Sequence, residues 1–287
     1  MSIRRIPESD LILNPDGSLY HINLLPEEVS TTILAVGDPD RVSKVSQYFD
    51  SIEVKKGKRE IVAHTGYIGK KRLTVISTGM GTDNVEIVLT ELDALFNVDL
   101  NTRLAKAEHT PLHIIRMGTS GSLVKEIPVD SIVLSHTGTG LDTLAAFYPV
   151  QQTAEIKTRM ESFAKHLGLP FVPAQFRASD ILLNQFKAIG VEGHTLTCPG
   201  FYGPQGRAVR LFPFRNDLIA AYRSFEHNQF RFTNFEMETS GYYIMASLLG
   251  HHALSVNAIV ANRELEVFST QAENTVGKMI ESVLERI

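Results

Sequence analysis

The sequence predicts an α/β fold of three layers, a central mixed β-sheet flanked by helices. Two observations carry the prediction. Short apolar runs rich in β-branched residues alternate with longer stretches of helical periodicity, and glycine turns follow several of those runs. Several runs are apolar almost without interruption, the pattern of central strands buried on both faces.

Taken in order, residues 1–30 read as a short N-terminal arm. Its opening, MSIRRIPESDLILNPDG, lacks the apolar run of a signal peptide or membrane span. Thr31 to Val36 is the first strand, and Pro39 to Tyr48 the helix after it. Leu73 to Ser77 is a second strand, followed by the turn Gly79-Met-Gly81 and a helix from Asn84 to Phe96. The polar stretch Asp99 to Thr110 reads as a surface insertion or an extended helix end. Leu112 to Arg116 and Ser131 to Ser135 are further strands, Gln152 to Leu167 and Met237 to Leu249 further helices, and Leu254 to Val260 a last strand. In the closing segment Asn274 to Ile287, Val276, Met279, Ile280, Val283, Leu284 and Ile287 recur at steps of three and four, giving one apolar face to dock on the sheet. A single domain over 1–287 is expected, because 287 residues lie within the range of one α/β core.

A formal net charge of −4 argues against a partner held through nucleic-acid phosphates. The single cysteine, Cys198, excludes an internal disulfide or a multi-cysteine zinc site and fits a reducing, cytoplasmic location. It reads as a small packed residue rather than a nucleophile. The adjacent pair His251-His252 would point to opposite faces of a strand and could not chelate one metal, so no metal site is expected.

Three strand-end glycine turns stand out. In Ile33-Leu-Ala-Val-Gly-Asp-Pro-Asp-Arg41, a buried strand runs into Gly37, an N-cap aspartate and a first-turn proline. Backbone N–H groups at such a helix start favour an anion that Arg41 can reach. A plain connection with a solvated arginine would have the same sequence. In Ile114-Ile-Arg-Met-Gly-Thr-Ser-Gly-Ser-Leu123, Arg116 ends an apolar run and needs a partner, either a ligand or a structural carboxylate, while Gly118 and Thr119 allow close backbone approach and offer a hydroxyl. Together with Gly79-Met-Gly81, these turns fit one shared ligand site at the strand ends.

From these turns onward the sequence resembles the nucleoside phosphorylase superfamily, and within it the uridine phosphorylases. The matching landmarks run in order from His21 to Arg263. The resemblance implies a fold of nucleoside phosphorylase type and a phosphate site made of Gly37, Arg41, Arg116, Gly118 and Thr119. Lys58-Arg-Glu60 resembles the segment that lends an arginine, here Arg59, to a neighbouring subunit, and Tyr20-His21-Ile22 the segment that lends His21 to a neighbour's ribose 5′-hydroxyl. A homo-oligomer, dimer or trimer of dimers, follows. Phe201-Tyr-Gly-Pro-Gln-Gly-Arg207 resembles the uracil-recognition loop. There Gln205 offers an acceptor and donor pair matching uracil, Arg207 can stabilise a base anion, and Phe201 can stack on the ring. Asn234-Phe-Glu-Met-Glu-Thr239 resembles the ribose segment, with Met237 packing on the sugar, Glu238 accepting from its hydroxyls and Glu236 in support.

The string Ile259-Val-Ala-Asn-Arg263 bears on base class. Purine-specific relatives carry an aspartate acid after this strand, whereas Asn262 cannot serve as an acid and Arg263 suits a uracil carbonyl. The sequence departs from the uridine phosphorylase pattern at Thr82-Asp83-Asn84, where a small residue, proline and serine are usual, a serine that some of these enzymes use with a glutamate to hold potassium. Glu60 and Asn84 could still hold a monovalent cation. The stretch 99–111 is also longer than in the compact bacterial enzymes. The expected substrates are phosphate and a nucleoside, with no required cofactor. The competing readings are a phosphorylase of other base specificity, a nucleosidase and a silent binder. A dinucleotide-binding oxidoreductase lacks its G-x-G-x-x-G fingerprint.

Overall fold

The computed structural model describes residues 4–287. Eleven strands share one sheet: β1 (Thr32–Val36), β2 (Ser51–Lys58), β3 (Ile61–Ile68), β4 (Lys71–Ser77), β5 (His113–Ser122), β6 (Ile132–Gly140), β7 (Ala174–Arg177), β8 (Val191–Thr197), β9 (Asn234–Glu236), β10 (His252–Asn262) and β11 (Val267–Phe268). The helices are α1 (Pro39–Ser46), α2 (Thr82–Asn97), α3 (Ala154–Leu167), α4 (Asp180–Phe186), α5 (Leu218–Ser224), α6 (Thr239–Leu249) and α7 (Ala272–Leu284).

The strand order is β11-β10-β6-β8-β9-β5-β1-β4-β3-β2, and β10 also pairs with β5. The extra pairing closes β5, β9, β8, β6 and β10 into a ring, while β1 to β4 extend from it as an open sheet. The sheet is mixed, as the sequence predicts. β1 runs parallel to β4 and β5, whereas β3 is antiparallel to β2 and β4. The helices pack on this sheet, α1 on β3 and β4, α6 on β6, and α7 on β5 and β10, with α2 against α6.

β5 and β6 run well past the apolar segments that announce them. Their second halves, Gly118 to Ser122 and Ser135 to Gly140, are glycine, serine and threonine with one histidine. These residues still complete backbone ladders to β10, β9 and β8. Small side chains are what the closed ring can hold, so here ladder geometry and not hydrophobicity defines the strand. β2 lies at the sheet edge and alternates exposed and half-buried positions, with lysines at 55, 56 and 58. Charged residues on an edge strand disfavour pairing with another chain, and they also erase the apolar signal.

The 99–110 stretch is neither a helix end nor a loose insertion. α2 stops at Asn97, and Val98–Asp99 pairs antiparallel with Leu104–Ala105 in a short hairpin. Arg103 at its turn is buried and donates to the Leu11 carbonyl at 2.7 Å, while its own carbonyl accepts from Ile6 N–H at 2.8 Å. The segment therefore ties down the N-terminal arm. Leu19, Ile22 and Leu24 of that arm are buried in the main core beside β1 and β4 residues.

Candidate active site

Parallel pairing of β1 with β4 and β5 brings the ends of these strands to one edge of the sheet. A cavity of about 690 Å³ opens there, lined by Gly37 and Arg41 after β1, Gly79 and Met80 after β4, and Arg116, Gly118 and Thr119 of β5. Phe201, Gln205 and Arg207 line it as well, as do Phe235, Glu236, Met237 and Glu238. Eleven of the fourteen expected site residues thus share one cavity, and Arg59, His21 and Arg263 do not.

The first turn forms as its sequence dictates. Asp38 caps α1 by accepting from Asp40 N–H at 3.0 Å, and Pro39 occupies the first turn. Arg41 leaves this turn and donates Nη1 to the Met117 carbonyl at 3.3 Å. Burial lowers its pKa; Asp38 and Glu238 oppose the shift and Arg116 adds to it. No carboxylate pairs with it among the described residues, so its charge is available to an anion.

Arg116 differs in that it sits inside β5, not in a turn. Its Nη2 lies 2.6 Å from Glu238 Oε2 and 2.9 Å from Glu236 Oε2, and its Nη1 donates to Asn257 Oδ1 at 2.7 Å and Ser255 Oγ at 3.1 Å. Burial alone would lower its pKa, but the two carboxylates outweigh burial and hold it above its ordinary value. The structural ion pair and the cavity lining, which the sequence offers as alternatives, are both present. Gly118 explains how the side chain fits: a Cβ there would lie 2.2 Å from Arg116 Nη1.

Glu236 is fully engaged. It accepts from Thr197 Oγ1 at 2.7 Å and from the Glu238 and Thr239 N–H groups at 2.8 and 2.9 Å, which satisfies the start of α6. Burial raises its pKa and Arg116 opposes that shift. Glu238 accepts from Gly81 N–H at 2.9 Å through Oε1. Three arginines (Arg41, Arg116, Arg207) and four carboxylates (Asp38, Glu60, Glu236, Glu238) line this chain's own cavity.

The 201–207 loop is held by its own residues. Arg207 stacks on Phe201 with Cζ 3.7 Å from the ring centroid, donates to the Phe201 carbonyl at 2.7 Å, and also donates to Gln205 Oε1. One face of Phe201 is consequently covered by Arg207. Gln205 is buried, and Arg263 donates to its carbonyl at 3.1 Å from outside the cavity. Arg263 thus braces the loop rather than lining the pocket.

Phe235 is a lining residue that sequence reading passes over. Its ring packs on Gly121, 3.1 Å from where a Cβ would lie, and both Arg207 and Arg263 sit 5.9 Å from its centroid. An apolar residue inside a strand carries no signal that separates it from core. Met80 and Phe268, both exposed, complete the apolar lining.

Asn262 is buried and spent within the protein: its amide donates to the Val124 and Ile127 carbonyls, and its oxygen accepts from Glu264 and Leu265 N–H. His21 is tied to Glu91, Nδ1 to Oε1 at 2.6 Å. Arg59 lies 6.0 Å from the Tyr20 ring centroid, and that ring meets His21 edge-on at 4.9 Å. The two residues expected to serve a neighbour are thus grouped around one tyrosine. Cys198 is buried in a cluster with Phe163, Phe232 and Phe235, and burial pushes its thiol up. Glu60 and Asn84 both line the cavity and crowd Gly79.

Asp93, His109 and His251 bring a ligand-type atom each within 4.8 Å of one another. His251 Nδ1 accepts from Leu112 N–H at 3.2 Å, which leaves its proton on Nε2, 3.2 Å from Asp93 Oδ1. A metal at Nε2 would have to displace that proton while Nδ1 stayed an acceptor. The chemistry favours a buried imidazole close to Asp93 but not aligned for a hydrogen bond with it.

Comparison with known proteins agrees with this geometry. A curated uridine phosphorylase from Thermococcus kodakarensis is 28% identical over 266 residues, covering 90% of this chain and 82% of its own length. A purine nucleoside phosphorylase from Clostridium perfringens is 26% identical over 271 residues, 92% of this chain and 97% of its own. Among solved structures, a Trypanosoma brucei nucleoside phosphorylase described as showing uridine phosphorylase activity superposes with a TM-score of 0.87 at 27% identity, over 96% of this chain and 99% of that one. The phosphorylase superfamily model matches residues 31–285, and the chain belongs to that superfamily.

Proposed function

We propose that this protein uses inorganic phosphate to split uridine into uracil and ribose 1-phosphate, as a cytoplasmic enzyme of pyrimidine salvage built on a single domain, 1–287. The observation that carries this reading is one cavity lined both by Arg41, Arg116 and Thr119 and by Gln205 and Arg207. Anion-binding and base-recognising groups share it, and Glu238 offers a carboxylate to the sugar hydroxyls.

Phosphate oriented by Arg41, Arg116, Thr119 and the Gly37 and Gly118 backbone attacks the anomeric carbon. Such positioning is worth up to ~7–11 kcal/mol in favourable cases. As the C–N bond lengthens, the sugar gains positive and the uracil negative character. Phosphate stabilises the first and Arg207 the second. No step needs a cofactor or passes through a cation at Glu60 and Asn84.

Similarity to both uridine and purine phosphorylases leaves base class to the site. Asn262 has all its hydrogen-bonding capacity committed to the loops at 124–127 and 264–265, so it cannot protonate a purine. Gln205 and Arg207 supply the pyrimidine edge instead, with Phe201 and Phe235 the aromatic walls.

The charge balance within one chain supports an oligomer. Phosphate brings further negative charge to a cavity lined by more carboxylates than arginines, which favours an additional cation, and Arg59 from a neighbouring subunit would supply it beside that subunit's His21. Arg207→Ala tests the base reading: turnover with uridine should fall ~10²-fold or more, the scale of losing one transition-state donor. Unchanged turnover would remove Arg207 from this role.

A further inference from the structure

Arg116 Nη1 donates to Ser255 and Asn257 and Nη2 to Glu238, with Glu236 ion-paired to Nη2 at 2.9 Å. Phosphate can take an Nη2 proton of this guanidinium only where a carboxylate there lets go. Glu238 is the one placed to do so, because it lines the cavity and sugar hydroxyls can replace its lost partner. Glu236 is held by three further donors, and Ser255 and Asn257 are fully buried behind the cavity.

Strand register produces this arrangement. β5 and β10 run parallel with Arg116 opposite Ser255 and Gly118 opposite Asn257. Residues two apart share a face of a strand, so all four positions meet on one side. Lacking a Cβ, Gly118 lets the arginine fold across it and reach Asn257. The amide of Asn257 is itself fixed, since Nδ2 donates to Ser135 Oγ at 2.9 Å and to Ser255 Oγ at 3.2 Å. Its oxygen therefore faces Arg116 and not the reverse.

We propose that Asn257 is a positioning residue for phosphate: it holds Arg116 Nη1 in place while Nη2 exchanges Glu238 for the incoming anion, an inference that rests on the phosphorolysis reading. Asn257 touches neither substrate. Its loss would let the guanidinium follow the carboxylates and meet phosphate in the wrong place.

The test combines steady-state kinetics with calorimetric titration of inorganic phosphate for wild type, Asn257→Ala and Asn257→Ser, each also in an Arg116→Lys background. Losing a charge-assisted hydrogen bond should weaken phosphate binding and raise KM for phosphate roughly ten-fold in Asn257→Ala. KM for uridine should rise much less, because the base groups Gln205 and Arg207 are untouched. The serine variant, which keeps an oxygen, should lie between, and both effects should vanish beside lysine at 116. A folded variant with unchanged phosphate affinity, an equal rise in both KM values, or the same loss beside lysine would overturn the proposal. If alanine prevents folding, the serine variant decides by the same criteria. Wild-type protein that binds phosphate yet leaves uridine intact would instead sink the functional reading, and the titrations would still decide on Asn257.

Discussion

At the scale of single residues, the site depends on where glycine is. A Cβ at position 118 would sit within 2.2 Å of a buried guanidinium that is itself tied to two carboxylates. Gly118→Ala should therefore cost about 1–3 kcal/mol of stability, as overpacking does, and weaken phosphate binding by at least roughly ten-fold. Denaturant unfolding and a phosphate titration check both; a variant as stable and as tight as wild type would contradict the packing account. Cys198 gives the opposite kind of prediction. Its thiol is buried and pushed up by burial, so alkylating reagents should leave the native protein unmodified and label it only on unfolding. Rapid labelling of native protein would reopen a chemical role. Arg116 shows what single residues disclose in a sequence. Its residue type and apolar context demand a partner, but they do not distinguish a carboxylate from a ligand; in the folded chain two carboxylates pair with it and the side chain also lines the cavity.

At the scale of elements, strands with apolar runs were legible and those without were not. β1, β4 and β10 follow from hydrophobicity, whereas the far halves of β5 and β6 are held by ladder pairing of small polar residues. β2 is hidden by its lysines, and the hairpin at 98–105 by its polarity. The 201–207 loop was legible only through family resemblance, because Gly and Pro alone read as a surface turn. β8 carries a pH-dependent element: burial pushes the pKa of His194 down to about 4 from 6.5, with His136 and Arg159 adding to the effect. The unfolded chain takes up this proton at higher pH than the folded one. Stability from His194 is therefore present above pH ~6.5 and lost as pH falls toward ~4, by at most about 3 kcal/mol. The thermal midpoint of His194→Asn should fall less steeply over that range than that of wild type. Identical slopes would show that His194 is not the group responsible.

At the scale of the whole molecule, parallel pairing of β1, β4 and β5 gathers turns that lie some 40 residues apart, and order along the chain is enough to anticipate a shared site. The closure of half the sheet into a ring was not legible, since it depends on β10 pairing with both β5 and β6, and no local pattern encodes a second partner. Arg59 and His21 stand outside their own chain's cavity, which bears on assembly. If each completes a neighbour's site, Arg41→Ala and Arg59→Ala subunits should each be nearly inactive alone and regain activity when coassembled, because hybrid oligomers contain intact sites. Failure of such hybrids to recover would place Arg59 outside the reaction.

The most direct measurement is base release from uridine by the purified protein with and without inorganic phosphate, with inosine run in parallel. Uracil formed only when phosphate is present, with inosine left intact, is the predicted result. Uracil formed equally well without phosphate would make the protein a hydrolase, and cleavage of inosine in preference to uridine would overturn the base assignment drawn from Asn262, Gln205 and Arg207.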